Sequence, residues 1–240
     1  MALILPRGPR RRSLYLMRRL LVTALSCLCS LIPGGLRACD LALVLAVDVS
    51  GSVDPKEYRL QMDGLARALR DPLISEALVQ ARAEVALVQW SGTSRQVVSV
   101  PWTSIPDFAA LDAFARAVED TSRKWRNYST AIGELLGYVL PMFDAVPSCQ
   151  RRVVDVSGDG PSNEGINPET LRSRLTAAGV TVNAIAIEAS EEDLAAYFFE
   201  HVIHGPGAFV VYAARFEDYP EQIRKKLLRE VVKQTATLSR

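Results

Sequence analysis

The run LALVLAV, Leu41 to Val47, is apolar at every position. A strand with one face in water alternates apolar and polar residues, whereas an unbroken apolar strand is buried on both faces. Burial on both faces requires helices above and below the sheet, which confines the chain to a layered α/β fold.

The rest of the sequence supplies those layers. Asp54-Pro55-Lys56-Glu57 carries an N-cap, a proline in the first turn and a capping-box glutamate, and predicts a helix to about Arg70, stopped by Asp71-Pro72. EVALVQW, Glu84 to Trp90, reads as a second strand. After the SGTS turn, RQVVSV from Arg95 reads as its antiparallel hairpin partner. Ile105-Pro106-Asp107 opens a helix to about Thr121. The polar loop SRKWRNYS follows, then a helix from about Thr130 to Phe143 and a central strand, RRVVDVS. Asn167-Pro168-Glu169 starts a helix ending at Ala178-Gly179. VTVNAIAI is a strand, Glu191 to about His201 a helix, GAFVVYA the last strand, and a closing helix runs from Phe216 beyond Val232. Strands alternating with helices over short links predict a doubly wound, mostly parallel sheet with one antiparallel edge strand and helices on both faces.

With 240 residues, 49% of them hydrophobic, the chain can bury one sizeable core. Six arginines, Arg7, Arg10, Arg11, Arg12, Arg18 and Arg19, precede an apolar stretch, LLVTALSCLCSLI, and small residues around Ala38. That order predicts a secretory signal over residues 1–38, with Met17 the expected start. Arg11-Arg12-Ser13-Leu14 leaves a twin-arginine signal as the alternative. Either way the expected location is periplasmic or secreted, with residues 39–240 as one domain. The net charge is +1 and the body beyond the signal is mildly acidic, so no global field favours nucleic acid. The apolar stretch is too short and too poorly flanked for a secure membrane span, and none is expected in the mature chain.

Once the signal is removed, Cys39 and Cys149 remain as an even pair, each just before an apolar strand. If those strands are parallel neighbours, both sulfurs lie at one end of the sheet and a disulfide can form. The alternative is lipidation of Cys39, since Leu36-Arg37-Ala38-Cys39 resembles a lipobox, although Arg37 fits that motif poorly.

The first strand ends in Asp48-Val49-Ser50-Gly51-Ser52. Alternate side chains of an extended turn project to one side, so one carboxylate and two hydroxyls can converge on a hard cation: Mg²⁺ or Mn²⁺, with Ca²⁺ also compatible, but not zinc. The same residues also suit a helix-entry loop using its polar side chains as caps. Further along, NYSTAIGELL offers the Thr130 hydroxyl and VVDVSGDGPSN places Asp159-Gly160 after the second central strand.

These three segments, in this order, resemble the von Willebrand factor type A domain, whose metal-ion-dependent adhesion site is assembled from D-x-S-x-S, a threonine and an aspartate on three loops. LALVLAVDVSGSVDPKEYRLQ, RRVVDVSGDGPSNEG and VIHGPGAFVV together resemble one bacterial branch of that superfamily, domain of unknown function 1194. The resemblance implies that Ser50, Ser52 and Thr130 contact the metal and that Asp48 and Asp159 act directly or through water. It implies a docking site at which an acidic residue of a protein partner completes the metal's shell. One position departs from the pattern: Gly158 stands where many such domains have threonine before the Asp-Gly pair.

The expected role is therefore a non-enzymatic binding module. The alternative is a metal-dependent hydrolase or phosphatase using Asp48 as nucleophile. Such enzymes commonly carry a second acid two residues later, where this chain has Ser50. Four other features read as structural. Asp155 reads as a buried acid paired with a donor, and Asn163 as a turn former or a brace for the Asp159 loop. Trp125 with Arg123, Lys124 and Arg126 reads as a solvated charged loop, or else as an exposed recognition edge. His201 and His204 read as surface or turn residues.

Overall fold

The computed structural model describes residues 39–188 and 193–232. The expected signal over residues 1–38 lies outside the described residues, as does the expected helix start at Glu191.

Six strands form one sheet: β1 (Leu41–Asp48), β2 (Glu84–Trp90), β3 (Gln96–Ser104), β4 (Arg151–Gly158), β5 (Val180–Ile187) and β6 (Val210–Ala213). Their order is β3-β2-β1-β4-β5-β6. Every pairing is parallel except β2 with β3, which leaves β3 as the antiparallel edge. β1 explains its own composition. Leu41, Leu43, Leu45 and Val47 enter one core layer, while Ala42, Val44 and Ala46 enter the other.

The first layer packs under α1 (Pro55–Leu69), α2 (Pro72–Gln80), α3 (Phe108–Glu119) and α7 (Tyr219–Val232). The second packs under α4 (Ile132–Val139), α5 (Arg172–Ala178) and α6 (Leu194–Tyr197). From β1 the chain crosses to β2 on one side, and later to β4 on the other. The carboxyl ends of β1 and β4 therefore flank the switch point where doubly wound sheets bind ligands.

Several boundaries differ from the sequence reading. Asp71-Pro72 ends α1 but also begins α2, because the Asp71 carboxylate accepts the Leu73 and Ile74 amides at 2.9 and 3.3 Å. The same dipeptide that stops one helix caps the next. The helix expected from Thr130 begins at Ile132 and tightens to a 3₁₀ turn, Leu140–Ala145, at Pro141. The helix expected from Pro168 opens with a 3₁₀ turn, Pro168–Leu171. β3 continues through Pro101 to Ser104, as an edge strand tolerates. α6 passes into a π-helical turn, Phe198–Val202.

At the amino ends of β1 and β4, Cys39 and Cys149 are joined by a disulfide that closes a 110-residue separation. In the sheet centre Asp155 is buried and paired, as the sequence reading preferred. Its partner is Lys226 of α7, fully buried, at 2.5 Å. Lys226 also reaches Glu230 at 3.3 Å, and Glu230 accepts the Asn183 amide at 2.7 Å. α7 is therefore fixed to the sheet by ions as well as by Ile223 and Leu227.

Removing one member of a buried ion cluster leaves the others uncompensated. Lys226→Met is expected to lower unfolding stability by ~3–5 kcal/mol. The triple variant Lys226→Met/Asp155→Leu/Glu230→Gln is expected to recover most of that loss. Denaturant unfolding checks both, and a Lys226→Met loss no larger than that of an exposed lysine would contradict the ion-pair reading.

Candidate functional site

Asp48 closes β1 and is fully buried. The backbone leaves the strand there, so the next residues turn over the carboxylate. The Ser50 amide donates to Asp48 Oδ1 at 2.7 Å. The Ser50 and Ser52 hydroxyls lie 3.2 Å apart, and the Ser52 hydroxyl donates to Asp159 Oδ1 at 2.8 Å. One hydrogen-bonded path thus joins Asp48 to Asp159 across the ends of β1 and β4.

Thr130 enters from a third loop and is buried too. Its hydroxyl lies 4.0 Å from where a Cβ on Gly160, the residue after Asp159, would stand. The Asn163 side chain accepts the Thr130 amide at 2.9 Å, and the Asn163 amide donates back to the Thr130 carbonyl at 2.9 Å. Asn163 is therefore a brace that ties the Asp159 loop to Thr130. The Gly51 amide donates to the Tyr128 carbonyl at 2.8 Å, tying the first loop to the Thr130 loop. A side chain at Gly133 would collide with the Ile166 carbonyl, so α4 and the loop after Asp159 close only over a glycine.

The five expected side chains are thus gathered by the three loops predicted to carry them. Asp48, Ser50, Ser52 and Asp159 are connected directly, and Thr130 sits beside Asp159's neighbour. Gly158 has a visible reason. A Cβ there would lie 3.1 Å from the Phe198 ring, 3.4 Å from Asp48 Oδ2 and 3.5 Å from Trp90. The glycine lets two aromatic rings floor the site.

The electrostatics are unfavourable without a cation. Burial, and then the nearby Asp159 charge, push the Asp48 carboxyl up to about 8, against the opposing pull of the Ser50 hydrogen bonds. Burial raises the Asp159 carboxyl as well, with the Ser52 hydroxyl opposing. Asp48 Oδ2 is buried and has no hydrogen-bond partner. An orphaned carboxylate oxygen, a second buried carboxylate and three hydroxyls make an all-oxygen donor set, which fits a small hard divalent ion. Among the described residues no group of three or more His, Cys, Asp or Glu side chains could hold a metal, so the hydroxyls are essential to any such site.

Sequence reasoning missed one charged neighbour. Arg123 is only partly solvated: its Nη2 donates to the Val49 and Ser50 carbonyls at 3.1 and 2.7 Å. Trp125 is partly buried against the core instead of forming an exposed edge. Gln89, the lone amide of an apolar strand, was the available signal. It is fully buried, and its side chain binds the backbone on either side of Arg123. Of the two histidines, His201 pairs with Glu169 at 2.6 Å and His204 meets Thr176 at 3.0 Å.

A family model described as "Protein of unknown function (DUF1194)" matches residues 38–235. A search of curated protein sequences finds no match. Among solved structures, proximal thread matrix protein 1 from the mussel byssus is similar at a TM-score of 0.59 and 21% identity, over 79% of this chain and 47% of that one. A second structure of it, described as having a zinc occupied MIDAS motif, gives 0.58 and 18%, over 81% and 46%. The von Willebrand factor type A protein from Catenulispora acidiphila gives 0.56 and 20%, over 80% and 43%. The chain spans less than half the length of each, and the likeness shows the fold.

The raised Asp48 carboxyl has a sign that can be tested in metal-free protein. Between its ordinary 3.8 and about 8, the folded state keeps a proton that the unfolded chain has released. Stability is therefore greatest at low pH within this window and falls as pH rises through it. Melting in chelator is expected to drop from pH 5 to pH 8, by ~2–4 °C for each kcal/mol lost. Asp48→Asn is expected to flatten the slope. An equal slope in both proteins would refute the assignment.

Proposed function

The chain belongs to the family described as Protein of unknown function (DUF1194) and has the von Willebrand factor type A fold, and on that basis we propose that it is an exported, metal-dependent protein-docking module. In this reading Asp48, Ser50, Ser52, Thr130 and Asp159 hold one divalent cation. One observation carries the reading: two buried carboxylates face each other across the β1/β4 switch point, and Asp48 Oδ2 has no partner. A cation removes both the repulsion and the orphaned oxygen. Hydroxyl and carboxylate oxygens favour Mg²⁺ or Mn²⁺, with Ca²⁺ also compatible. The zinc described for the mussel protein belongs to that protein.

When bound, the ion supplies Lewis acidity toward an outside oxygen ligand. Two carboxylates among mostly neutral hydroxyls leave it electrophilic enough to attract an acidic side chain from a protein partner. The protein's own groups do the positioning. Asp48 is held by the Ser50 amide, Ser52 is oriented by Asp159, and Thr130 is fixed by Asn163.

The reading is non-enzymatic. Ser50 occupies the place where a phosphatase using Asp48 would commonly carry its second acid. The Cys39–Cys149 disulfide supports an oxidising compartment, and with it a periplasmic or secreted location. It also argues against a lipid anchor at Cys39. No helix among the described residues is long and apolar enough to cross a membrane.

Calorimetry with Mg²⁺ and Mn²⁺ tests the metal claim. Wild type is expected to bind one ion. Asp48→Ala and Thr130→Ala are expected to weaken binding by about tenfold or more, the equivalent of ~1.4 kcal/mol or more, while retaining the wild-type circular dichroism spectrum. Equal affinity in all three proteins would remove the site. Metal-dependent hydrolysis of phosphoesters, lost in Asp48→Ala, would replace docking with catalysis.

A further inference from the structure

The loop between α3 and α4 is pinned on both sides of Arg123. The Tyr58 hydroxyl of α1 donates to the Thr121 carbonyl at 2.7 Å. The Gln89 side chain of β2 donates to the Ser122 carbonyl at 2.9 Å and accepts the Lys124 amide at 3.0 Å. Gln89 is fully buried, and a buried amide is tolerated only when satisfied. Two of its bonds secure this loop, and in the third the Gln89 amide donates to the Ser99 hydroxyl at 3.0 Å.

What the pinned loop presents to the site is a guanidinium. Arg123 Nη2 bridges the carbonyls of Val49 and Ser50, inside the Asp48-x-Ser50-x-Ser52 turn. Its Nε is buried with no acceptor, so the position does not maximise the side chain's own hydrogen bonds. Burial and the neighbouring Arg126 charge work against the guanidinium there, so its placement needs an offsetting attraction. Asp48 and Asp159 supply that attraction, and the Val49 and Ser50 carbonyls that hold Nη2 directly follow Asp48 in the chain. No carboxylate forms an ion pair with it among the described residues.

We propose that Arg123 is a resident counter-cation of the metal site. Two carbonyl hydrogen bonds anchor it to the first loop, and from there its charge offsets the Asp48–Asp159 repulsion while the site is metal-free. A bound divalent ion then meets a fixed positive charge, so Arg123 lowers metal affinity as it stabilises the metal-free form. It is a positioning residue and not a ligand, because a guanidinium has no lone pair to offer a metal. This inference rests on the metal-binding reading above.

The test compares the wild-type full chain with Arg123→Gln, which removes the charge, and Arg123→Lys, which keeps it but loses the planar fork. Each is melted in chelator and in saturating Mg²⁺, and titrated with Mg²⁺ by calorimetry. Arg123→Gln is expected to lose more melting temperature in chelator than in Mg²⁺. It is also expected to bind Mg²⁺ about tenfold more tightly, the scale of one partly screened charge contact. Arg123→Lys is expected to stay within about twofold of wild-type affinity.

A merely structural arginine would lower both melting temperatures equally and leave affinity unchanged or weaker, and either result overturns the proposal. If Arg123→Gln folds only with Mg²⁺, that result supports it. If Arg123→Gln does not fold at all, Arg123→Lys decides: wild-type affinity supports the proposal, and a tenfold change in either direction overturns it. Absence of Mg²⁺ binding by wild type would instead defeat the metal reading on which the inference depends.

Discussion

Two carboxylates that repel each other lie where the central strands β1 and β4 end, and the surrounding loops are organised around that repulsion. Asp48 is wholly removed from water and Asp159 nearly so. Burial and proximity each penalise ionisation, and their combination is tolerable only near compensating charge or donors. The Ser50 amide and the Ser52 hydroxyl supply part of that compensation by direct hydrogen bonds, and in the proposal above the Arg123 guanidinium, held by the Ser50 carbonyl, supplies more. Each contributor needs its own support. That is why Gln89 and Tyr58, which touch neither carboxylate, matter to the site.

The architecture was legible because hydrophobic burial writes itself into local sequence. Leu41 to Val47 lacks alternation since its odd and even residues enter different core layers. The capping box at Asp54 and Glu57 is a purely local device and appeared where it was read. α2 was not legible by the same rule. Asp71-Pro72 is a stop signal and a start signal at once, and the contact of Asp71 with Arg224 of α7, at 2.7 Å, is a tertiary one that no local pattern announces. The π-helical turn after Tyr197 likewise has no local signal in the sequence, whereas the tighter turn at Pro141 follows from the proline itself.

The site divides in the same way. Asp48, Ser50, Ser52, Thr130 and Asp159 carry chemistry in their residue types and spacing, so the sequence exposed them. Arg123 looked like one charge among several in a polar loop, and no local pattern distinguishes it from Arg126. Its role depends on Gln89, 34 positions earlier in the numbering of this chain, and long-range pairs of that kind leave no periodicity to read. Gly158 was noticed as a departure from a pattern, but its reason is three-dimensional: Phe198 and Trp90 approach the backbone there.

The Cys39–Cys149 bond has a mechanical consequence. It joins the amino ends of β1 and β4, which run parallel and in register side by side. Tension entering the domain at Cys39 is divided at once between two central strands, so β1 cannot be peeled away from β4 one hydrogen bond at a time. The strands must instead shear together against β2 and β5, many bonds at once. The covalent link sits at the opposite end of those strands from Asp48 and Asp159, so a pull on that end leaves the alignment of the two loops intact until the sheet itself yields.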